Sequence, residues 1–387
     1  MPAAERAKSD AYFEGGYWLI LWNFLIGAAI SIFLLQSRLS ARLRDFAERR
    51  TRFQVMRVVL YAIPIFAIFG VLSFPLEWYQ SFYREHQYGM ATQTFLPWFA
   101  QELISFAVTL IIGAIGLVIL YAVFRRAPRT WPIWGTIAAV CLSIFVNLIA
   151  PVFLEPLFNK FTPLEDPKIR DPILAMARAN QIPADKVYVY DASRQTNRVG
   201  AHVSGLLGTT QISLADNLIS RCTLPEIRET MAHEMGHYVL NHGAKLTTYF
   251  GILALAAFVL CRIAFDRSLQ KWGPRWNIRG IDDPAGFPLL VVIFSTYIFL
   301  ITPITNTITR VTEREADAFS INTCREPEGA AMIDLKLGQY RKLDPGPIEE
   351  FIFYDHPSGR ARIRTAMDWK AAHLPCGSSG SSQPTNQ

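Results

Sequence analysis

The chain gathers its hydrophobic residues into long unbroken runs instead of spreading them at helix or strand period. Six runs, residues 17–35, 58–76, 103–124, 131–154, 246–265 and 287–308, contain no acidic residue. Each is long enough, as a helix, to cross roughly 30 Å of hydrocarbon. Their one basic residue, Arg262, lies near the end of its run, where its stem can snorkel toward polar surroundings. One such run could be a buried helix of a soluble protein, but six predict a polytopic membrane protein. The first run is too long for a signal-peptide core and reads as a retained span.

Between the fourth and fifth runs the pattern changes. Residues 160–168 are proline-rich and mixed in charge, the signature of a linker. Residues 171–180 predict a short helix. Residues 186–190 (KVYVY) alternate and are rich in β-formers, predicting a strand. Residues 201–206 and 209–214 predict two more, with Gly205 and Gly208 near their turn. Thr223 and Glu226 have the spacing of a capping box, with Pro225 in the first turn, so a helix opens there and runs to about Asn241. A second polar block follows residue 308 and begins as a helix over 312–322. The Gly/Ser-rich end, 377–387, predicts a disordered tail.

Composition agrees with this division. Of 387 residues, 51% are hydrophobic and only 18% charged, against about 25% charged in an average soluble domain. The net charge of +6 matters less than its placement. Segments 36–57, 125–130 and 266–286 hold fourteen basic residues, among them Arg38, Arg44, Arg57, Arg125 and Arg279. Segments 1–16 and 77–102 hold three, Arg6, Lys8 and Arg84. The positive-inside rule puts the arginine-rich segments in the cytoplasm, and span parity then puts the large polar blocks on the other face. No aromatic-interleaved motif accompanies the arginines, so no nucleic-acid partner is expected. The five cysteines form no CxxC pair and read as free thiols.

Candidate chemistry sits in the helix opened by Thr223, which contains His233-Glu-Met-Gly-His237. Histidines four apart share one helical face and can bind one tetrahedral Zn2+. Glu234 points to a different azimuth, from which it can take a proton from a zinc-activated water without being a ligand. Zinc hydrolases use a third protein ligand. Two spans after His237, the chain returns to the face it left, at Glu313 and Asp317. These share a helical face, so one can ligate and the other can accept a hydrogen bond from an imidazole. Read alone, they could equally be acids favouring the first turn of a helix.

These segments resemble the type I CAAX prenyl protease family. The resemblance rests on HEMGH, on Glu85-His-Gln-Tyr-Gly89 with Gln93-Thr94, on residues 150–162 (APVFLEPLFNKFT), on residues 313–319 and on His356-Pro357, and it covers about 57–370. It implies a mainly α, polytopic membrane fold with a zincin-like HExxH domain containing a small β-sheet. It implies one Zn2+ per chain on His233, His237 and Glu313, with Asp317 behind a ligand and Glu234 as base. His356 and Arg362 would stabilise the carbonyl oxygen and its tetrahedral intermediate. An extended substrate would pair with the strand containing Gly200, Ala201, His202 and Val203. Gly200 departs from the asparagine that the family often has there. The expected division is a four-span membrane domain (1–157), a metallopeptidase domain with two further spans (158–375, spans 246–265 and 287–308) and the tail. Eukaryotic members read as seven spans with a cytosolic catalytic domain, whereas this chain shows six and its arginines favour the opposite face.

The expected function is zinc-dependent hydrolysis of peptide bonds in a peptide or membrane-protein substrate, prenylated or not, at a lipid bilayer. Two readings stay open beside it: a quality-control protease of HtpX type, which needs the same site, and an inactive membrane scaffold or binding protein.

Overall fold

A computed structural model describes residues 1–205 and 210–374. Six helices are long and apolar enough to cross a membrane. They are α1 (Ala3–Gln36), α3 (Gln54–Glu77), continued by a π-helical turn and by α4 (Arg84–Tyr88), α5 (Phe95–Arg126), α6 (Trp131–Ile149), α10 (His242–Trp276) and α11 (Phe287–Cys324). All but α6 extend beyond their apolar runs, so these spans project into the polar layers. A short helix, α2 (Leu39–Arg50), joins α1 to α3. The helices pack around Leu34, Tyr61, Ile65, Tyr121, Phe124, Trp131 and Phe265, each at most 1% exposed.

The basic segments converge on one end of this bundle. Arg44 on α2, 4% exposed, reaches Asp283 Oδ2 at 2.5 Å and donates to the Asn277 carbonyl at 2.9 Å. Arg38 donates to the Arg275 carbonyl, and Arg279 pairs with Glu48. The first turns of α1 lie at the other end, where Glu14 meets Lys342 and the Tyr17 hydroxyl donates to Glu349. Span parity is therefore as the sequence implies: the arginines and the polar blocks occupy opposite ends.

The polar block after α6 folds as a four-stranded sheet with flanking helices. Its strands are β1 (Phe161–Pro163), β2 (Val187–Tyr190), β3 (Ala201–Ser204) and β4 (Gln211–Ala215), in the order β1-β2-β4-β3. Strand β2 runs parallel to β4, and the other neighbours are antiparallel. Strand β1 corrects the linker expectation for 160–168. Its proline can close an edge strand, because Thr162 and Phe161 supply the register with β2. The expected positions 206 and 209 and the turn glycine Gly208 lie outside the described residues, as does the tail.

Helix α7 (Pro167–Ala179) starts four residues earlier than the alternation predicts, with Asp166 accepting from the Lys168 amide. A short α8 (Asp216–Arg221) precedes α9 (Leu224–Val239), whose capping box forms as expected: the Thr223 amide donates to Glu226 Oε2 at 2.6 Å. Asn241, in a left-handed conformation, separates α9 from α10. Helices α12 (Pro327–Leu337), α13 (Pro347–Phe353) and α14 (Gly359–His373) complete the chain. The segment 312–322 is not a separate helix, as the polar break at residue 308 suggested. It continues α11, so Glu313 sits deep inside a 38-residue helix, which removes the first-turn explanation for its charge. The four described cysteines are free, and Cys376 lies outside the described residues.

Candidate metal and active site

Helix α9 brings His233 and His237 to one face, and α11 lies directly across it. The approach is close because position 236 has no side chain: a Cβ at Gly236 would stand 3.0 Å from Phe319 Cδ1 on α11. Glu313, 7% exposed, faces both histidines. His233 Nε2 lies 3.1 Å from Glu313 Oε2 and 3.1 Å from His237 Nε2, and His237 Nε2 lies 3.5 Å from Glu313 Oε1. Two imidazole nitrogens aimed at one another and at a carboxylate are three donors converging on a point. Ligands about 2.0–2.1 Å from a tetrahedral zinc stand roughly 3.3–3.4 Å apart, so the donor set fits that ion.

Each histidine is held from behind. His233 Nδ1 is 2.9 Å from Asp317 Oδ1, one turn along α11 from Glu313. Asp317 is in turn ion-paired to Arg362 on α14, whose other arm reaches Asp334 Oδ1 at 3.3 Å. His237 Nδ1 is 2.9 Å from His242 Nδ1, and His242 Nε2 is 3.0 Å from Glu315 Oε2, which also accepts from Lys245 at 2.6 Å. Burial works against charge on His233, but the hydrogen bonds its ring donates to Asp317 and Glu313 outweigh it and raise its pKa to about 10. Burial and the neighbouring His233 lower His237 to about 4. Burial raises Asp334 to about 6 against the pull of Arg362.

Glu234 lies beside the triad, and burial raises its carboxyl pKa, which suits a group that must exchange a proton. His356, in the loop before α14, places Nε2 3.2 Å from Glu313 Oε2 and Nδ1 2.8 Å from Asp355. Helix α11 anchors α13 and the start of that loop: Arg310 donates to the Glu350 and Tyr354 carbonyls and Asn306 to the Ile352 carbonyl. A cavity of about 340 Å3 opens here, bordered by His233, Glu234, His356, Arg362 and the strand entry Gly200–Ala201. Strand β3 has β4 on one side and, among the described residues, no strand on the other. Ala201 and Val203 face the core under the sheet, while His202 faces Glu155 at 3.4 Å. Gly200 lies close under Tyr190: an added Cβ would stand 3.3 Å from the phenol oxygen. Burial, with the charges of Glu234 and Glu155, pushes that phenol up to about 12.

Gly200, Ala201, His233, Glu234, Asp317, His356 and Arg362 line this cavity, His237 and Glu313 complete the donor set beside it, and His202 and Val203 continue along β3. His242 and Glu315 were not foreseen. His242 is five residues after His237 and across a helix break, so no periodicity links them; the only hint is a second acid, Glu315, two residues after Glu313. The Glu85 motif does not enter the cavity. Glu85 accepts from Tyr12 at 2.5 Å and from Arg198 at 2.7 Å, tying α1 and α4 to the strand block.

The model of Peptidase family M48 matches residues 163–370. The model described as CAAX prenyl protease N-terminal, five membrane helices, matches residues 1–160, where this chain has four candidate spans and α2. An uncharacterized metalloprotease of Bacillus subtilis (strain 168), YhfN, is 29% identical over 372 residues, covering 95% of this chain and 86% of its own length. CAAX prenyl protease 1 of Saccharomyces cerevisiae is 27% identical over 344 residues, covering 82% and 74%. The crystal structure of S. mikatae Ste24p superposes with a TM-score of 0.79 at 22% identity, covering 95% of this chain and 89% of that one. With over half its residues matched by the peptidase model, a matching membrane domain and a converged His-His-Glu donor set, this chain belongs to peptidase family M48, as a multi-pass membrane zinc metalloendopeptidase of the CAAX prenyl protease kind.

Proposed function

We propose that each chain holds one Zn2+ on His233, His237 and Glu313 and cuts a peptide laid along the free edge of β3. The observation that carries this is the position of Glu234: beside the three donors, at the wall of the cavity that the β3 entry also borders. When bound, zinc supplies a Lewis acid that polarises a carbonyl and acidifies water. The buried carboxylate of Glu234 takes the proton from the attacking water and delivers it to the leaving amine. His356 donates to the carbonyl oxygen as it gains charge. Arg362 adds positive charge at the same wall while its guanidinium fixes Asp317, which orients His233. Ala201, His202 and Val203 present backbone groups to the substrate strand. Gly200 keeps the strand entry open beneath Tyr190.

Two observations support a substrate class: one relative is named a CAAX prenyl protease, and Glu313 lies just beyond the apolar run of the spanning helix α11. We assign a prenylated peptide, presented from the bilayer, as the preferred substrate. Replacing Glu234→Gln in the full chain should leave zinc content unchanged and reduce cleavage of a farnesylated peptide by more than a hundredfold. Full activity in that variant would remove Glu234 as the base. Equal turnover of the farnesylated peptide, its unmodified counterpart and a misfolded membrane protein would instead favour a quality-control role.

A further inference from the structure

A second cavity, of about 260 Å3, lies at the arginine-rich end of the bundle, far from the metal site. Four arginines line it: Arg44, Arg57, Arg125 and Arg279. Two are already neutralised. Arg44 pairs with Asp283 and Asp45 at 2.5 and 2.8 Å, and Arg279 with Glu48 and Asp283 at 2.5 and 3.3 Å. The other two are not. Arg57 spends only its Nε, on the Thr51 carbonyl at 2.9 Å. Among the described residues, neither Arg57 nor Arg125 has a carboxylate within 4.0 Å, and Arg125 makes no side-chain hydrogen bond. Asp282, on the same wall, is the one lining acid without an ion pair. Three carboxylates (Asp45, Glu48 and Asp283) already answer Arg44 and Arg279, so the cavity offers unspent guanidinium donors on Arg57 and Arg125, and these match the oxygens of a phosphodiester.

The surroundings say which phosphodiester. Beside it stand Phe53, Val55 and Met56, exposed by 65%, 55% and 48% at the N-cap and in the first turn of α3. These exposed apolar side chains neighbour the lining residues Gln54 and Arg57 in sequence, at the start of the α3 span. A soluble phosphate would gain nothing from these side chains, whereas a lipid would place its headgroup in the cavity and its chains over α3. Arginine forks also suit phosphate oxygens better than a point charge does. Basic pockets between membrane helices take anionic headgroups for these reasons. We propose that this cavity binds the phosphate of an anionic glycerophospholipid, held by Arg57 and Arg125.

The test is native mass spectrometry of the full chain in detergent, titrated with phosphatidylglycerol, with phosphatidylcholine and with inorganic phosphate. The wild-type chain should retain one phosphatidylglycerol at least tenfold more tightly than phosphatidylcholine. The double variant Arg57→Ala/Arg125→Ala should lose that preference, while Arg49→Ala/Arg50→Ala, exposed residues outside the cavity, should keep it. Gln54→Glu, at an exposed lining position where folding is not at stake, should weaken phosphatidylglycerol binding severalfold by adding a negative charge. Inorganic phosphate at millimolar concentration should not displace the lipid. Equal retention of the two lipids, or an unchanged preference in the double variant or in Gln54→Glu, would overturn the assignment. Displacement by phosphate would overturn the lipid and leave a soluble anion site.

Discussion

Asp317 Oδ1 lies 2.9 Å from His233 Nδ1, so the imidazole that aims Nε2 at Glu313 is locked from behind by the same helix that carries Glu313. One element therefore supplies both a donor and the orientation of another donor. Partners of this kind typically change metal affinity by 10–100-fold. Asp317→Asn should weaken zinc retention by about that factor, read by chelator competition, with the spans intact by circular dichroism. Unchanged retention would mean that packing alone holds the His233 ring.

His356 should separate differently from the donors. It approaches Glu313 from the loop before α14, and its removal leaves the His-His-Glu cluster complete. We expect His356→Ala to keep its zinc and to lose about 100- to 1,000-fold in kcat, the scale of one oxyanion donor. If KM rises and kcat holds, His356 binds substrate in its ground state instead.

The buried Asp334 predicts a pH signature. Its folded pKa of about 6 lies above the ordinary unfolded value near 3.9, because burial disfavours the charged form. The folded state then holds more protons between these values. The contribution is fully present below about pH 4 and is lost as pH rises through about 6. Melting temperatures in detergent should show wild type falling across that window relative to Asp334→Asn. Parallel curves for the two chains would show that Asp334 is charged throughout.

Opposite placement of the arginines and the site predicts opposite labelling. Arg44 itself is a poor reporter, since it is buried against Asp283. Single-cysteine reporters at the exposed Arg49 and Glu165 should label from different sides of the membrane, with Arg49 on the cytoplasmic side by the charge rule. Labelling of Arg49 from outside the cell would reverse the orientation, and labelling of both from one side would break the parity.

The site was legible in the sequence where chemistry and helical period coincide. HEMGH states its own geometry because residues four apart share a face, and Glu313 followed from counting two crossings. What escaped was long-range or phase-free. The proline-rich stretch at 161–163 gains its strand only from β2. The break in hydropathy after residue 308 looked like the end of a helix, yet the backbone continues because polar side chains are no obstacle once α9 packs alongside. The His237–His242–Glu315 chain spans three helices and a left-handed turn, and no one-dimensional pattern encodes that.

The unbroken run of α11 turns a membrane span into a gauge. Glu313 comes 26 residues after Phe287, about 39 Å along one continuous helix. Exchanging one apolar residue for another in that span leaves the carboxylate where it is. Deleting a single residue there would swing it by about 100° and withdraw it by about 1.5 Å, emptying the third corner of the donor set. For this helix the number of residues, more than their identity, sets where Glu313 stands.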